Sequence, residues 1–207
     1  MPEKVFQFKI KSITVEENGR IKEKEKGANV IEAKLYYPKE GLPAVTTLCS
    51  VSLEDKKPRD FSNEPYEKQI LFKQSFQGDS VLKINVSAEV KLSSLDKALL
   101  KMLGAAAKAT VGTITGIGLI ATAAVTSITE SIFTFSDKKS KIIGTGSLPI
   151  DENLKEGVQE IPIVVPKEVE IVKLEKDRVT RRTLIKKMPL PKGMPNGKIL
   201  IEIKRIV

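Results

Sequence analysis

The chain has 207 residues, with 35 basic and 26 acidic side chains, a formal net charge of +9, no histidine and one cysteine. A single cysteine cannot form a disulfide within the chain, and histidine is the commonest metal ligand and general base. The composition therefore argues against a disulfide scaffold, a zinc site and histidine-based catalysis. The basic excess favours anionic partners. Cys49 lies in an apolar run and is interpreted as a small buried residue of a protein in a reducing compartment.

The first half of the chain alternates apolar and polar residues, which is the pattern of half-buried β-strands. Five segments are predicted as strands: residues 5–13, 28–37, 45–53, 66–76 and 80–90. The last two are predicted to form a hairpin across 77–79. The N-terminal segment reads as a strand and carries acidic residues, so no signal peptide is predicted.

The pattern then changes to an uncharged stretch over residues 109–129. Its length suits a helix that crosses a bilayer, but Gly, Ala, Ser and Thr make up most of it and add little to the free energy of insertion. Small residues instead let two helices approach closely, and Gly112 and Gly116 have the GxxxG spacing. Helical spacing predicts an apolar insertion over 93–137, either one helix or a hairpin that breaks near 116–118. The residues predicted to contact lipid or a neighbouring subunit are Val111, Gly112, Ile114, Gly116, Ile117, Leu119, Ile120, Val125 and Ile128.

Strand patterning resumes after the insertion. The predicted strands are 141–150, 158–165, 169–174 and 198–204, with a basic segment over 176–187 and a loop rich in proline and glycine over 189–197. These elements predict a mainly β protein. The expected architecture is an antiparallel β-sandwich formed by residues 1–92 and 138–207, with the inserted apolar helix or helical hairpin at 93–137.

Four segments in this order resemble parts of C2 domains. FSNEPYEKQILF at 61–72 is similar to the segment that leads into a Phe-rich strand of the family. GDSVLKINV at 78–86 resembles its L-x-I-x-V strand, IGTGSLPI at 143–150 its Ile-Gly segment, and GKILIEI at 197–203 its closing strand. The resemblance covers most of the chain and implies a C2-like β-sandwich.

The chain departs from the family at the calcium ligands. A C2 domain that binds calcium has Asp-x-Asp after the L-x-I-x-V strand, where this chain has 87–89 as Ser-Ala-Glu. Asp137 remains near the far end of that loop, and Glu23 and Glu25 lie scattered in a lysine-rich turn. Because Ca²⁺ takes about six to eight oxygen ligands, the resemblance implies a calcium-independent member. In the family this loop faces the membrane, so the resemblance also implies that the insertion projects from the lipid-facing end.

Basic residues flank the insertion on both sides and recur over 173–187. Positive charge on both flanks suits a hairpin whose two arms return to one anionic surface. The predicted contacts with that surface are Lys97, Lys101, Lys108, Lys138, Lys139, Lys141, Arg181 and Arg182. The segment 173–187 also fits a solvated hairpin, because acidic residues dilute its charge, and its lack of aromatic residues argues against nucleic-acid binding.

No phosphate-binding loop or nucleophile elbow occurs in the chain. The sequence predicts a non-enzymatic protein without cofactor or metal. The first hypothesis is a membrane-directed, calcium-independent C2-like sandwich whose insertion enters or lies in an anionic bilayer, with oligomerisation through Gly112 and Gly116 toward a homo-oligomer or a pore. The alternative is a structural subunit of a larger assembly, with the insertion packed against identical subunits. Packing of the insertion on its own sandwich also stays open. The expected location is the cytoplasm, in association with a membrane under the first hypothesis.

Overall fold

The computed structural model describes residues 5–19, 27–36, 43–75, 79–91, 121–122, 141–151, 153–176 and 183–206. These residues form twelve strands and a single-turn helix. The elements are β1 (Val5–Val15), β2 (Gly27–Tyr36), β3 (Pro43–Val51), β4 (Arg59–Asp60), α1 (Tyr66–Gln69), β5 (Ile70–Ser75), β6 (Ser80–Lys91), β7 (Ala121–Thr122), β8 (Lys141–Ile150), β9 (Gly157–Val164), β10 (Val169–Lys176), β11 (Thr183–Leu190) and β12 (Pro195–Arg205). The prediction of a mainly β protein is confirmed.

Ten of the strands form one antiparallel sheet, in the order β4-β1-β12-β9-β8-β6-β2-β3-β7, with β5 also paired to β1. β10 and β11 pair with each other as a separate two-stranded sheet. The register places apolar side chains of neighbouring strands side by side, with Ile10 opposite Ile201 and Ile31 opposite Val86. Because side chains alternate between faces, this register gives the large sheet one apolar face.

The large sheet curls around that apolar face, which forms the hydrophobic core. Phe8 on β1 and Phe72 on β5 meet edge to face, with ring centroids 6.4 Å apart. From the other half of the sheet, Ile31, Leu82 and Ile84 are fully buried in the same cluster.

Two contacts hold the curl. On one side β8 pairs with β9 at Thr145 and Val164, and a Cβ added at Gly144 would lie 2.0 Å from Cγ2 of Ile163. On the other side the Thr47 hydroxyl of β3 donates to the carbonyl of Leu71 on β5 at 2.5 Å. The result is a curled, sandwich-like antiparallel sheet.

The predicted hairpin between 66–76 and 80–90 is wrong. Tyr66–Gln69 forms α1, and only Ile70–Ser75 forms a strand, which pairs with β1. β6 lies between β2 and β8 instead. A turn signal reports a change of direction but not the strand's partner, and here the aromatic contact stabilises β5 on β1.

The region after β10 also differs from its prediction. Thr183–Leu190, expected as part of a basic segment and a loop, forms β11 and pairs along β10. β12 begins at Pro195, inside the predicted loop.

Of the predicted insertion at 93–137, the structure describes Ala121 and Thr122. They form β7 and pair with Thr46 and Val45 on β3. These two residues are therefore extended, and the described part of the chain does not support the predicted helix. The rest of the insertion lies outside the described residues. Among the residues that are described, no helix has the length and apolar character needed to cross a bilayer.

Candidate interaction surface

One end of the large sheet is where the chain leaves for the insertion and returns from it. β1 and β12 meet there at Val15 and Gly197, and β6 and β8 meet there at Ala88 and Lys141. The last residue of β6 at this end is Lys91. We call this end of the sheet the insertion end, defined by Val15, Lys91 and Lys141. The insertion therefore starts and finishes on neighbouring strands at the same end of the sheet.

Buried asparagines fix the backbone of the loop that follows β1 at the insertion end. The side chain of Asn29 donates to the carbonyls of Asn18 at 2.8 Å and Ser87 at 3.2 Å, and accepts from the backbone N–H of Leu53 at 3.3 Å. Asn18 donates to the carbonyl of Leu53 at 3.0 Å, and its backbone N–H donates to Oδ1 of Asp55 at 2.7 Å. These side chains supply the hydrogen bonds that irregular backbone cannot make with itself.

Asn196 ties the same loop to the start of β8. Its Oδ1 accepts from the backbone N–H of Glu17 at 2.9 Å, and its Nδ2 donates to the carbonyls of Glu17 at 3.1 Å and Ile143 at 2.9 Å. Asn196 is completely buried. The loop after β1 is therefore hydrogen-bonded both to β2, through Asn29, and to β12, through Asn196.

Lys173 on β10 forms an ion bridge between two carboxylates of the insertion end. Its Nζ lies 2.9 Å from Oδ2 of Asp55 and also contacts Oε2 of Glu17. Partial burial lowers the pKa of Lys173, but the hydrogen bonds and charges of the two carboxylates outweigh burial, so the pKa is raised overall. The bridge connects β10 to the loops that follow β1 and β3.

The hairpin formed by β10 and β11 has a buried root, and the described distal residues of β11 are exposed. The core residues at its root are Val169, Ile171 and Leu190. Farther out, Leu184 is 52% exposed and Ile185 is 72% exposed, and the exposed Lys186 and Lys187 follow them. Lys187 lies 3.2 Å from the carboxylate of Glu170, and both side chains are mostly exposed, so this pair contributes little stability. Because side chains alternate along a strand, Leu184 and Lys186 lie on one face of the hairpin and Ile185 and Lys187 on the other, so each face carries an exposed aliphatic residue near a lysine.

Lys141 is the one predicted anionic-surface residue that the structure describes. It is exposed, and its Nζ donates to the carbonyl of Glu170 on the hairpin. The other predicted basic contacts lie outside the described residues: Lys97, Lys101, Lys108, Lys138, Lys139, Arg181 and Arg182. So do the predicted insertion contacts Val111, Gly112, Ile114, Gly116, Ile117, Leu119, Ile120, Val125 and Ile128. The fold thus brings Lys141 to the hairpin, whose exposed residues the sequence prediction missed.

The sequence predicted few carboxylates at the insertion end that could bind a cation. Ser87 and Ala88 are buried residues of β6, while Asp137, Glu23 and Glu25 lie outside the described residues. Over the described ranges, no group of three or more His, Cys, Asp or Glu side chains is placed to hold a metal ion. The two carboxylates that do converge, on Glu17 and Asp55, are bridged by an ammonium group.

Cys49 is half-buried on β3 and packs against the core. Burial, reinforced by the charge of Glu64, raises the pKa of its thiol to about 11. The thiol is therefore protonated at neutral pH, which supports its interpretation as a small core residue.

Comparison of the chain with protein-family models finds no match, and comparison with curated proteins finds none.

Proposed function

We propose that this chain is a non-enzymatic, membrane-directed protein, a calcium-independent C2-like sandwich that binds anionic lipid surfaces through its insertion end. One observation carries the proposal. The apolar insertion leaves and rejoins the sheet at the end where the hairpin shows Leu184 and Ile185 beside Lys186 and Lys187. The chain thus enters and leaves the apolar insertion at the end of the sheet to which the basic, partly aliphatic hairpin is attached.

The strength of the hairpin contact can be worked out to first order. Each basic residue near an anionic membrane contributes about 1 kcal/mol, so Lys141, Lys186 and Lys187 supply about 3 kcal/mol. Leu184 and Ile185 are each partly exposed, and burying the rest of both side chains adds about 2 kcal/mol. The total matches the marginal, reversible binding of a single lipid chain. Stable attachment needs a second contact, which the apolar insertion provides.

The test is co-sedimentation of the full chain with phosphatidylcholine vesicles, with and without phosphatidylserine. Binding is expected with the anionic vesicles, and adding calcium or a chelator should not change it. Lys186→Glu with Lys187→Glu should weaken binding by at least about 30-fold, since two contacts of about 1 kcal/mol each are lost. Leu184→Ser with Ile185→Ser should weaken binding without changing the charge.

The matched control reverses two exposed lysines at the opposite end of the sheet. Lys155 lies between β8 and β9, and Lys204 lies near the end of β12. Lys155→Glu with Lys204→Glu removes the same net charge and should leave most of the binding intact. Equal weakening by both pairs, or no binding of the natural sequence to anionic vesicles, would refute the proposal.

An assembly subunit is the second candidate, and the edge of the sheet at β3 favours it. Among the described strands, only the two-residue β7 pairs with the outer side of β3, and sheet edges recruit strands from other chains. In that case the insertion packs against neighbouring copies of the chain. A discrete large species by light scattering, together with no vesicle binding, would favour this function.

A further inference from the structure

Part of the outer face of the sheet is buried, although it points away from the core. Ile31, Ala33 and Leu35 of β2 belong to the core cluster, so Val30 and Glu32 point to the opposite face. Both are 1% exposed. Leu48 on β3 pairs with Glu32 and is 3% exposed. Val30 and Leu48 are not members of the core cluster, so a second buried layer lies outside the curl.

Polar groups in this layer are buried as completely as the apolar ones. Ser87 of β6, opposite Val30, is fully buried, and its hydroxyl has no hydrogen-bond partner among the residues described. Glu32 accepts from Asn85 Nδ2 at 2.8 Å and lies 3.0 Å from Lys34 Nζ. A buried hydroxyl without a partner is costly, so whatever covers Ser87 is expected to offer it a polar group. We call Val30, Glu32, Leu48 and Ser87 the outer patch.

Exposed residues appear on the outer face beyond the outer patch. In the next row of outward residues, Lys34 lies opposite Lys83, and Lys83 lies opposite Ser147. Lys83 and Ser147 are exposed. The fully exposed residues of the outer face thus begin at this row, although Lys34 is only 17% exposed and Val81, in the last outward row, is 8% exposed.

No described strand accounts for the cover. β2 and β6 have their extensive contacts with sheet neighbours only. Roughly 50 residues separate β6 from β8, far more than the few that join neighbouring antiparallel strands. That connection starts and ends on strands of this same sheet, at the end nearest the outer patch. Its described residues, Ala121 and Thr122, pair with β3 at the edge of the same sheet.

We propose that the connecting segment 92–140 docks on the outer patch of its own chain. Its uncharged core, 109–129, is rich in small residues that allow close approach to a sheet, and its many Ser and Thr hydroxyls can satisfy Ser87. One part of this inference rests on the proposed function, namely that the same apolar residues also bind lipid. Apolar residues docked on the outer patch cannot enter a bilayer at the same time, so docking competes with lipid. Glu32 of the patch pairs with Lys34 in the adjoining row, and water solvates this pair well once the segment leaves.

Hydrogen exchange of the full chain without lipid, read by mass spectrometry, tests the docking. Peptides from 109–129 are expected to be protected in the natural sequence. Leu48→Asp places a charge in the patch and should speed their exchange by at least about ten-fold, because the docked state is then populated less. Ser147→Asp adds the same charge on the same face outside the patch and should not. Exchange of 109–129 that is unprotected in the natural sequence, or equal in all three proteins, would overturn the proposal.

Two further measurements separate a local effect from unfolding and from the function. Peptides of β1 and β12 should keep their protection in Leu48→Asp. If the peptides of β1 and β12 lose their protection, Leu48→Ala is used instead. The exchange of 109–129 is then expected to rise about three-fold. Unchanged exchange in Leu48→Ala would count against docking. Leu48→Asp should also bind anionic vesicles more tightly than the natural sequence. Faster exchange with no vesicle binding in any variant would leave docking standing and remove the membrane function.

Discussion

Replacing Asn196 with alanine should destabilise the protein more than its size suggests. The substitution removes the partners of three backbone groups: the N–H of Glu17, the carbonyl of Glu17 and the carbonyl of Ile143. Each buried group left without a partner costs about 1–3 kcal/mol, and Glu17 sits at the low end because water reaches it in part. We expect a loss of about 3–5 kcal/mol in the free energy of unfolding. At about 2–4 °C per kcal/mol for a chain of this size, Tm should fall by about 10 °C.

Urea unfolding followed by circular dichroism, with linear extrapolation to water, measures this loss. The matched control is Asn63→Ala. Asn63 is exposed in the loop after β4, so its replacement should change the free energy of unfolding by less than about 0.5 kcal/mol. If Asn196→Ala costs less than about 1 kcal/mol, this side chain does not hold the loop after β1, and the conclusion that Asn196 ties this loop to β8 is wrong.

Three other measurements test separate parts of the structure. Gly197→Ala should cost more than about 2 kcal/mol, because φ is +121° and a Cβ would lie 2.0 Å from the carbonyl oxygen of Thr14. Gly193→Ala, at φ +81° in open space, should cost only about 1 kcal/mol, and equal losses would contradict the clash. Burial raises the pKa of Cys49 to about 11 from the ordinary 9.0, which lowers its reactive thiolate fraction. Cys49 should therefore be alkylated at pH 7.5 about 100-fold more slowly in the native protein than after unfolding. Fast alkylation of the native protein would count against its burial. The raised pKa of Lys173 stabilises the fold below its unfolded value of 10.5, so the stability lost in Lys173→Met should stay constant from neutral pH to about 9 and shrink at higher pH. A loss that does not change with pH would argue against the ion bridge.

The elements that sequence predicted best are the strands with one face in the core. In 5–13 and 80–90 the alternation of apolar and polar residues follows from burial on one side, so it is visible without knowing the partner strand. The hairpin of β10 and β11 was harder to predict because the described distal residues of β11 are exposed. Alternation there is weak, so the sequence left the tract 173–187 open as either a basic binding segment or a solvated hairpin, and the structure forms a hairpin of β10 and β11.

The side-chain contacts at the insertion end were also only partly predictable from the sequence. Asn29 shares β2 with Glu32 and Lys34, so the sequence does not single it out as a buried hydrogen-bonding residue, and no pattern near it names its partners. Its hydrogen bonds reach Asn18, Leu53 and Ser87, which lie on different elements. Lys173 and its two carboxylates likewise come from three separate parts of the chain.

The sequence alone determined that this is a mainly β protein, interrupted once by an uncharged stretch rich in small residues, since both features arise from the order of polar and apolar side chains along the chain. The tertiary structure decided which strands pair, where the insertion leaves the sheet, that both faces of β2 are buried and where the hairpin exposes its aliphatic residues. These outcomes depend on contacts between residues far apart in the chain. Their free energies are set by burial and by hydrogen-bond partners that exist only after the sheet has curled.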